Sequence, residues 1–399
     1  MPTHRWLRVV LILGCVVRLA VVAARLSHPL QGDELSFDSI ALNLATGHGY
    51  STGASEADYR PTAVRAPGYV FFLAAFYRVF GHHALPPLVA QALLDMLTMW
   101  LVAGLARRWF GDDRVALAAA AGYAFYPLFI LDTAHILSET TSQFLVVATV
   151  YLFFRHVAGR RLAPLVGSGV ALGLCALSKP QLLPLGVVLA IASIPTLSVR
   201  AAARAALTLC LVAGLVLAPW VVRNAAVFHA FIPGVSTGGI GLWFGAAPFG
   251  VPIGGFNDPT VPDSLRRYLG TLSDLDQNRW AVAETKRIID ADPAGYARLT
   301  LSKIPRLWFN VGYEGHAPSR ASWLVAAMNL LLWILAVAGA VRARPVPPAT
   351  AVLVVLALFW MAVHAPFFTV VRYSEPYYAL LLPFSAAGFV SLFPKRPHG

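Results

Sequence analysis

Ten apolar stretches follow one another along this chain, and most are close to the twenty residues that cross a lipid bilayer. They fall near 6–26, 84–106, 115–134, 136–155, 162–178, 181–198, 205–222, 322–342, 346–364 and 376–393. A chain so patterned must satisfy its backbone polar groups within each segment, which favours helices. Composition agrees: 58% of residues are hydrophobic and 13% charged, with mean hydropathy +0.65, against roughly 25% charged in soluble domains. The expected fold class is all-α and polytopic, one membrane domain over 1–399. The first run follows a basic start, as a signal peptide would. It continues past Arg18 without an A-x-A cleavage site and is read as a span.

Charge orients the bundle. With the N-terminus inside, the inner segments carry Arg5, Arg8, Arg107, Arg108, Arg114, Arg155, Arg160, Arg161, Arg200, Arg204, Arg342, Arg344, Lys395 and Arg396. Only Asp112 and Asp113 oppose them. Fourteen basic against two acidic residues give the chain's whole net charge of +12, so the remaining seventeen of each sign cancel. This is the asymmetry of an inner-membrane protein with both termini in the cytoplasm. No separate basic domain is left for nucleic acid. Cys15, Cys175 and Cys210 sit in apolar runs, without metal-ligand or disulfide spacing.

Two long outer segments remain, 27–83 and 223–320. Residues 68–80 suit an interfacial helix, and 274–300 have helical spacing with mixed charge. Ionisable groups gather at outer span ends: Asp33, Glu34, Asp132, Glu139, Lys179, Arg223 and Arg372. Groups at such depth are costly and point to function. Plainer roles also exist. Glu139 suits a helix N-terminus, Lys179 suits snorkelling, and Arg18 and Asp95 suit burial with partners. His316 and His364 are isolated and read as structural. Asp33-Glu34 has the weakest plain role, since acids on the outer side do little for orientation.

Several segments carry a family resemblance. They are Asp33-Glu34, the stretch Ala41 to Tyr50, Arg65-Ala66-Pro67-Gly68-Tyr69, Leu137-Ser138-Glu139-Thr140, Pro219-Trp220-Val221-Val222-Arg223-Asn224, Gly238-Gly239 with Leu242-Trp243, and Arg372-Tyr373. In this order the chain resembles the GT-C glycosyltransferases that use lipid-linked sugars. It is most similar to the bacterial family-39-like group related to protein mannosyltransferases and aminoarabinose transferases. Ala66 replaces a proline of the family's R-P-P-G-Y segment. Lys179-Pro180 stands where many relatives have Arg-Pro, so a point charge replaces a forked donor. Phe37 and Asp38 stand near a position that is often Tyr in relatives.

The resemblance implies inverting transfer of a sugar from a polyprenyl phosphate carrier to a glycan, lipid or protein acceptor at the outer face. Asp33 would be the base, with Glu34 beside it positioning the acceptor or sharing the proton. Arg372, Lys179, Arg223 and Arg65 would bind the donor phosphate. Glu139, Asp132 and Tyr373 would orient sugar or acceptor. Some relatives use a divalent metal and others none, and no metal cluster is visible in the sequence. A lipid or sugar transporter is the alternative. The lack of an inverted repeat and the gathering of charge at one face weigh against it. A non-catalytic scaffold is a third reading.

Overall fold

The computed structural model describes residues 2–55, 57–248, 250, 252–309, 319–342 and 348–393. The expectations placed on Arg344, Lys395, Arg396 and His316 fall outside the described residues. Helix dominates. The first half contains α1 (Pro2–Arg25), α2 (Asp33–Ala45), a two-stranded antiparallel pair β1 (Ser51–Thr52) and β2 (Arg60–Pro61), α3 (Pro67–Phe80), α4 (Leu85–Phe110), α5 (Asp113–Ala124), α6 (Pro127–Asp132), α7 (Glu139–Gly159) and α8 (Leu162–Ser178). Next come α9 (Leu185–Ala192) and α10 (Val199–Phe228). The long loop then holds α11 (Gly238–Gly245), α12 (Asp263–Gly270), α13 (Asp274–Ala291), α14 (Pro293–Ser302) and α15 (Ile304–Phe309). The chain finishes with α16 (Arg320–Arg342), α17 (Ala349–His364) and α18 (Glu375–Ser391).

Every predicted span carries a helix. Five described helices are long and apolar enough to cross a membrane: Arg5–Arg25, Leu85–Phe110, Glu139–Gly159, Val199–Phe228 and Arg320–Arg342. Exposed leucines at helical spacing, such as Leu207, Leu211 and Leu215 on α10, give these helices a face for lipid. The chain is an integral membrane protein. By contrast α18 is buried on every side from Glu375 to Gly388 and packs against α16, α5, α4 and α7. It is the axis of the bundle.

Proline accounts for two departures from the expected spans. The third predicted span is broken at Phe125-Tyr126, because Pro127 lacks an N–H and pushes Tyr126 to extended backbone (φ −74°, ψ 118°). The sixth is interrupted at its start. Pro180 opens a single 3-10 turn, Pro180–Leu182, and Pro184 precedes an α9 of only eight residues. Eight residues rise about 12 Å, well short of a bilayer core of about 30 Å.

Arg18 and Asp95 do pair. Both are fully buried, with Arg18 Nε 2.5 Å from Asp95 Oδ2. The guanidinium also donates to the carbonyls of Gly14, Ala124 and Tyr123. Asp95 accepts from Tyr123 Oη at 2.8 Å and Thr133 Oγ1 at 3.0 Å. Charge and hydrogen bonds are thus satisfied where water is absent. The network ties α1, α4, α5 and the start of the α6–α7 turn into one block.

The two long loops share one end of the bundle and are tied to each other. Ser236 N donates to Ala63 O, Thr237 Oγ1 to Val64 O, and Thr62 Oγ1 to Asp274 Oδ2. The second loop has its own small core of Ile240, Trp243, Ile253, Val261 and Ala281. The buried Lys303 ammonium fastens this unit down by donating to the carbonyls of Gly245, Pro366 and Phe367. Burial lowers the Lys303 ammonium to about 8, and nearby Arg306 adds to this.

Candidate active site

The loop end gathers charge from four distant parts of the sequence. Asp33 opens α2. Its Oδ1 accepts from Arg65 Nη2 at 2.7 Å and its Oδ2 from Arg372 Nη2 at 2.9 Å. Arg65 precedes α3, and its Nε donates to Ser36 Oγ at 3.0 Å. Arg372 lies in the 3-10 turn Val371–Ser374 that leads into α18. Arg372 Nε stands 3.6 Å from Glu139 Oε1, which accepts from Lys179 Nζ at 3.2 Å. The result is a continuous chain: Arg65, Asp33, Arg372, Glu139, Lys179.

This chain crosses a gradient of exposure. The side chains of Asp33, Arg65 and Arg372 are about one-third exposed, whereas Glu139 and Lys179 are 6% and 12% exposed. One edge of the site meets water and the other is dry. Burial by itself would raise the Asp33 carboxyl. Arg65 and Arg372 more than offset that, by charge and by hydrogen bonding, and hold it below the usual carboxylate value.

The sequence brings these groups together through close packing. A Cβ on Gly68 would stand 2.4 Å from Ser178 Oγ and 3.0 Å from the Leu177 backbone. Only glycine lets the start of α3 lie this close to the end of α8. That contact fixes the α3 start that follows Arg65 against the α8 end that precedes Lys179.

The other predicted residues divide. Tyr373 belongs to the cluster: the Lys179 ammonium and the Arg372 guanidinium lie 5.8 and 5.7 Å from its ring centroid, and His364 stacks on it. Asp132 neighbours Glu375 at the dry edge, and one oxygen of each carboxyl, Asp132 Oδ2 and Glu375 Oε2, is buried without a hydrogen-bond partner. Glu34 takes partners separate from those of Asp33. It is buried and accepts from Gln31 N, Ile136 N and His135 Nδ1, with Arg25 at 3.5 Å. Those contacts bind the α2 start to the α6–α7 turn. Arg223 is not joined to the chain of charge. It donates to the carbonyls of Thr62 and Tyr50 and stacks near Trp220, Tyr50 and Phe228. It holds the first loop in place.

Sequence reasoning passed over Glu375 and His135. Glu375 follows Arg372-Tyr373-Ser374 and opens the last span. An acid there has the same depth signal as Glu139, masked by its fitness as a helix cap. Among the described residues, no group of three His, Cys, Asp or Glu side chains is placed to hold a metal ion.

The crystal structure of the Archaeoglobus fulgidus oligosaccharyltransferase in its apo form superposes with a TM-score of 0.60 at 16% identity, covering 97% of this chain and 50% of that one. The same protein in complex with Zn and sulfate gives 0.56 at 16% identity, covering 96% and 49%. The chain has the GT-C fold. It spans about half the length of the oligosaccharyltransferase it resembles. Residues 64–222 match the model of the family described as dolichyl-phosphate-mannose-protein mannosyltransferase. The GT-C resemblance seen in the motifs is therefore matched by the family-model segment and the superposed fold. ArnT from Cupriavidus metallidurans bound to undecaprenyl phosphate is a more distant GT-C structure, with a TM-score of 0.45 at 15% identity, covering 95% of this chain and 78% of that one. No curated protein sequence matches the chain.

Proposed function

We propose that this GT-C protein transfers a sugar from a polyprenyl phosphate carrier to an acceptor hydroxyl at the outer membrane–water boundary. The observation that carries this reading is the Asp33 carboxylate held between Arg65 and Arg372, about one-third exposed, with Arg372 leading to the dry Glu139–Lys179 pair. An acceptor arriving from water meets the carboxylate. A lipid-borne phosphate arriving from the bilayer meets the cations. The match to a family named for a dolichyl-phosphate sugar donor supports a polyprenyl carrier. The arginine excess at the opposite end supports an outward-facing site.

In the proposed reaction the acceptor oxygen attacks the anomeric carbon from the face opposite the phosphate. Its proton passes to Asp33. The bond from the anomeric carbon to phosphate oxygen breaks, and the carrier leaves with the electron pair. Arg372 gives a forked pair of donors to the departing phosphate, and Lys179 a point charge. Glu139 positions both cations. An acid held low by two arginines is a weak base. A donor phosphate that draws on Arg372 frees Asp33 of part of that restraint and strengthens it as a base at the moment it is needed.

The test is direct. The purified protein, given a polyprenyl phosphate carrying radiolabelled sugar, should yield labelled acceptor and free polyprenyl phosphate. Counterflow of an unaltered donor without cleavage would make it a transporter instead.

Arg65→Gln is expected to move the acid limb of the kcat/KM–pH profile upward. The sign follows from the lowered Asp33 carboxyl. A depressed carboxylate stays ionised as pH falls, and removing Arg65 makes it protonate at higher pH. An acid limb unmoved by this substitution would detach Asp33 from base catalysis.

Gly68→Val is expected to lower turnover about 100-fold by spreading α3 from α8, since displacements near 1 Å cost that much. Helical content by circular dichroism should hold. Unchanged turnover would show that the contact does not set the site.

A further inference from the structure

The opposite end of the bundle has a cavity of about 430 Å³, formed where α1, α4, α5 and α7 meet, and the mechanism above makes no use of it. Its floor is Tyr151. A Cβ on Gly104 would stand 2.8 Å from the Tyr151 ring, so the missing side chain on α4 is the space that ring occupies. Arg108 lies over the same ring, 5.3 Å from its centroid, and Trp100 borders it at 6.1 Å between centroids. Arg107 is at the mouth, with Nε 2.6 Å from Asp113 Oδ1. Arg108 is exposed and has no carboxylate partner among the described residues. Arg8 and Arg5, on the α1 turns flanking the lining residue Leu7, are also exposed.

A second observation extends the cavity along the bundle. Leu93, Leu97 and Trp100 are 47%, 46% and 51% exposed and fall at i, i+4 and i+7 of α4. They form an apolar track that ends at Gly104 and the two arginines. Basic head and apolar track match one kind of occupant.

We propose that this cavity is a specific site for an anionic phospholipid of the cytoplasmic leaflet. Its phosphate would lie on Arg108 and Arg107, its glycerol region over Tyr151, and one acyl chain along Leu97 and Leu93. Basic pockets between spans on the cytoplasmic side bind anionic headgroups in this way. A guanidinium already stacked on an aromatic ring is pre-oriented toward a phosphate.

The test needs no transfer assay, so it stands or falls apart from the reaction proposed above. Native mass spectrometry of the full chain in detergent would measure binding of phosphatidylglycerol, of phosphatidylcholine with the same chains, and of inorganic phosphate. Phosphatidylglycerol is expected to bind in preference to phosphatidylcholine. Arg108→Gln is expected to weaken it about fivefold, the worth of one basic residue at an anionic headgroup. Arg204→Gln, an exposed arginine on α10 away from the cavity, should leave it unchanged. Equal binding of the two lipids would overturn the proposal, as would equal losses in the two variants. Displacement of phosphatidylglycerol by inorganic phosphate at matched concentration would also overturn it, assigning the arginines to a free anion.

Discussion

Asp33→Asn is expected to lower the turnover number by about 10²–10⁴-fold, the range for loss of a positioned general base. Asparagine keeps an oxygen for Arg65 or Arg372 but takes no proton from an acceptor hydroxyl. The protein should therefore express, fold and bind donor while failing at chemistry. Glu34→Gln makes the contrast. Glu34 accepts from two backbone amides and His135, so its loss should lower thermal stability and touch turnover less. Steady-state kinetics on both variants, with donor binding measured separately, decides the matter. Turnover near wild type in Asp33→Asn would end the case for this residue as the base.

Asp95→Ala should have the largest effect on stability, about 3–5 kcal/mol, the range for removing one member of a buried ion pair. Arg18 would keep its charge in a fully buried setting with carbonyls alone around it. Tyr123 and Thr133 would each lose an acceptor. The joint change Arg18→Met with Asp95→Leu removes both charges and is expected to recover much of the loss, because the pair then leaves no orphan. Thermal unfolding followed by fluorescence-detected size exclusion would report all three proteins. A melting temperature for Asp95→Ala equal to wild type would mean the ion pair does little to hold the bundle together.

The spans were legible because apolar length is a strong signal, and the long helices α1, α4, α10 and α16 stand where they were expected. Phe125-Tyr126-Pro127 shows the limit. Hydropathy runs on through it, and only the proline's missing N–H marks the break. At the site, residue type at a shared depth pointed to Asp33, Glu139, Lys179 and Arg372, because charge near a bilayer is expensive wherever it occurs. What sequence order conceals is where donors are spent. Arg223 sits in a motif as suggestive as that of Arg372, yet its guanidinium goes to the Tyr50 and Thr62 carbonyls. Nothing local to Pro219–Asn224 foretells that, since the acceptors are some 160 positions away. Lys303 was missed for the same reason: its partners are carbonyls, which every residue has.

The bridge from Asp33 to Arg372 spans 339 positions of sequence. During synthesis one of its halves emerges with the earliest helices and the other only ahead of the last. A nascent chain halted anywhere before Arg372 therefore holds Asp33 with Arg65 alone, and the Glu139–Lys179 pair is not yet joined to it. If the proposed transfer needs Asp33 and Arg372 together, only a chain completed through Arg372 can spend an activated sugar.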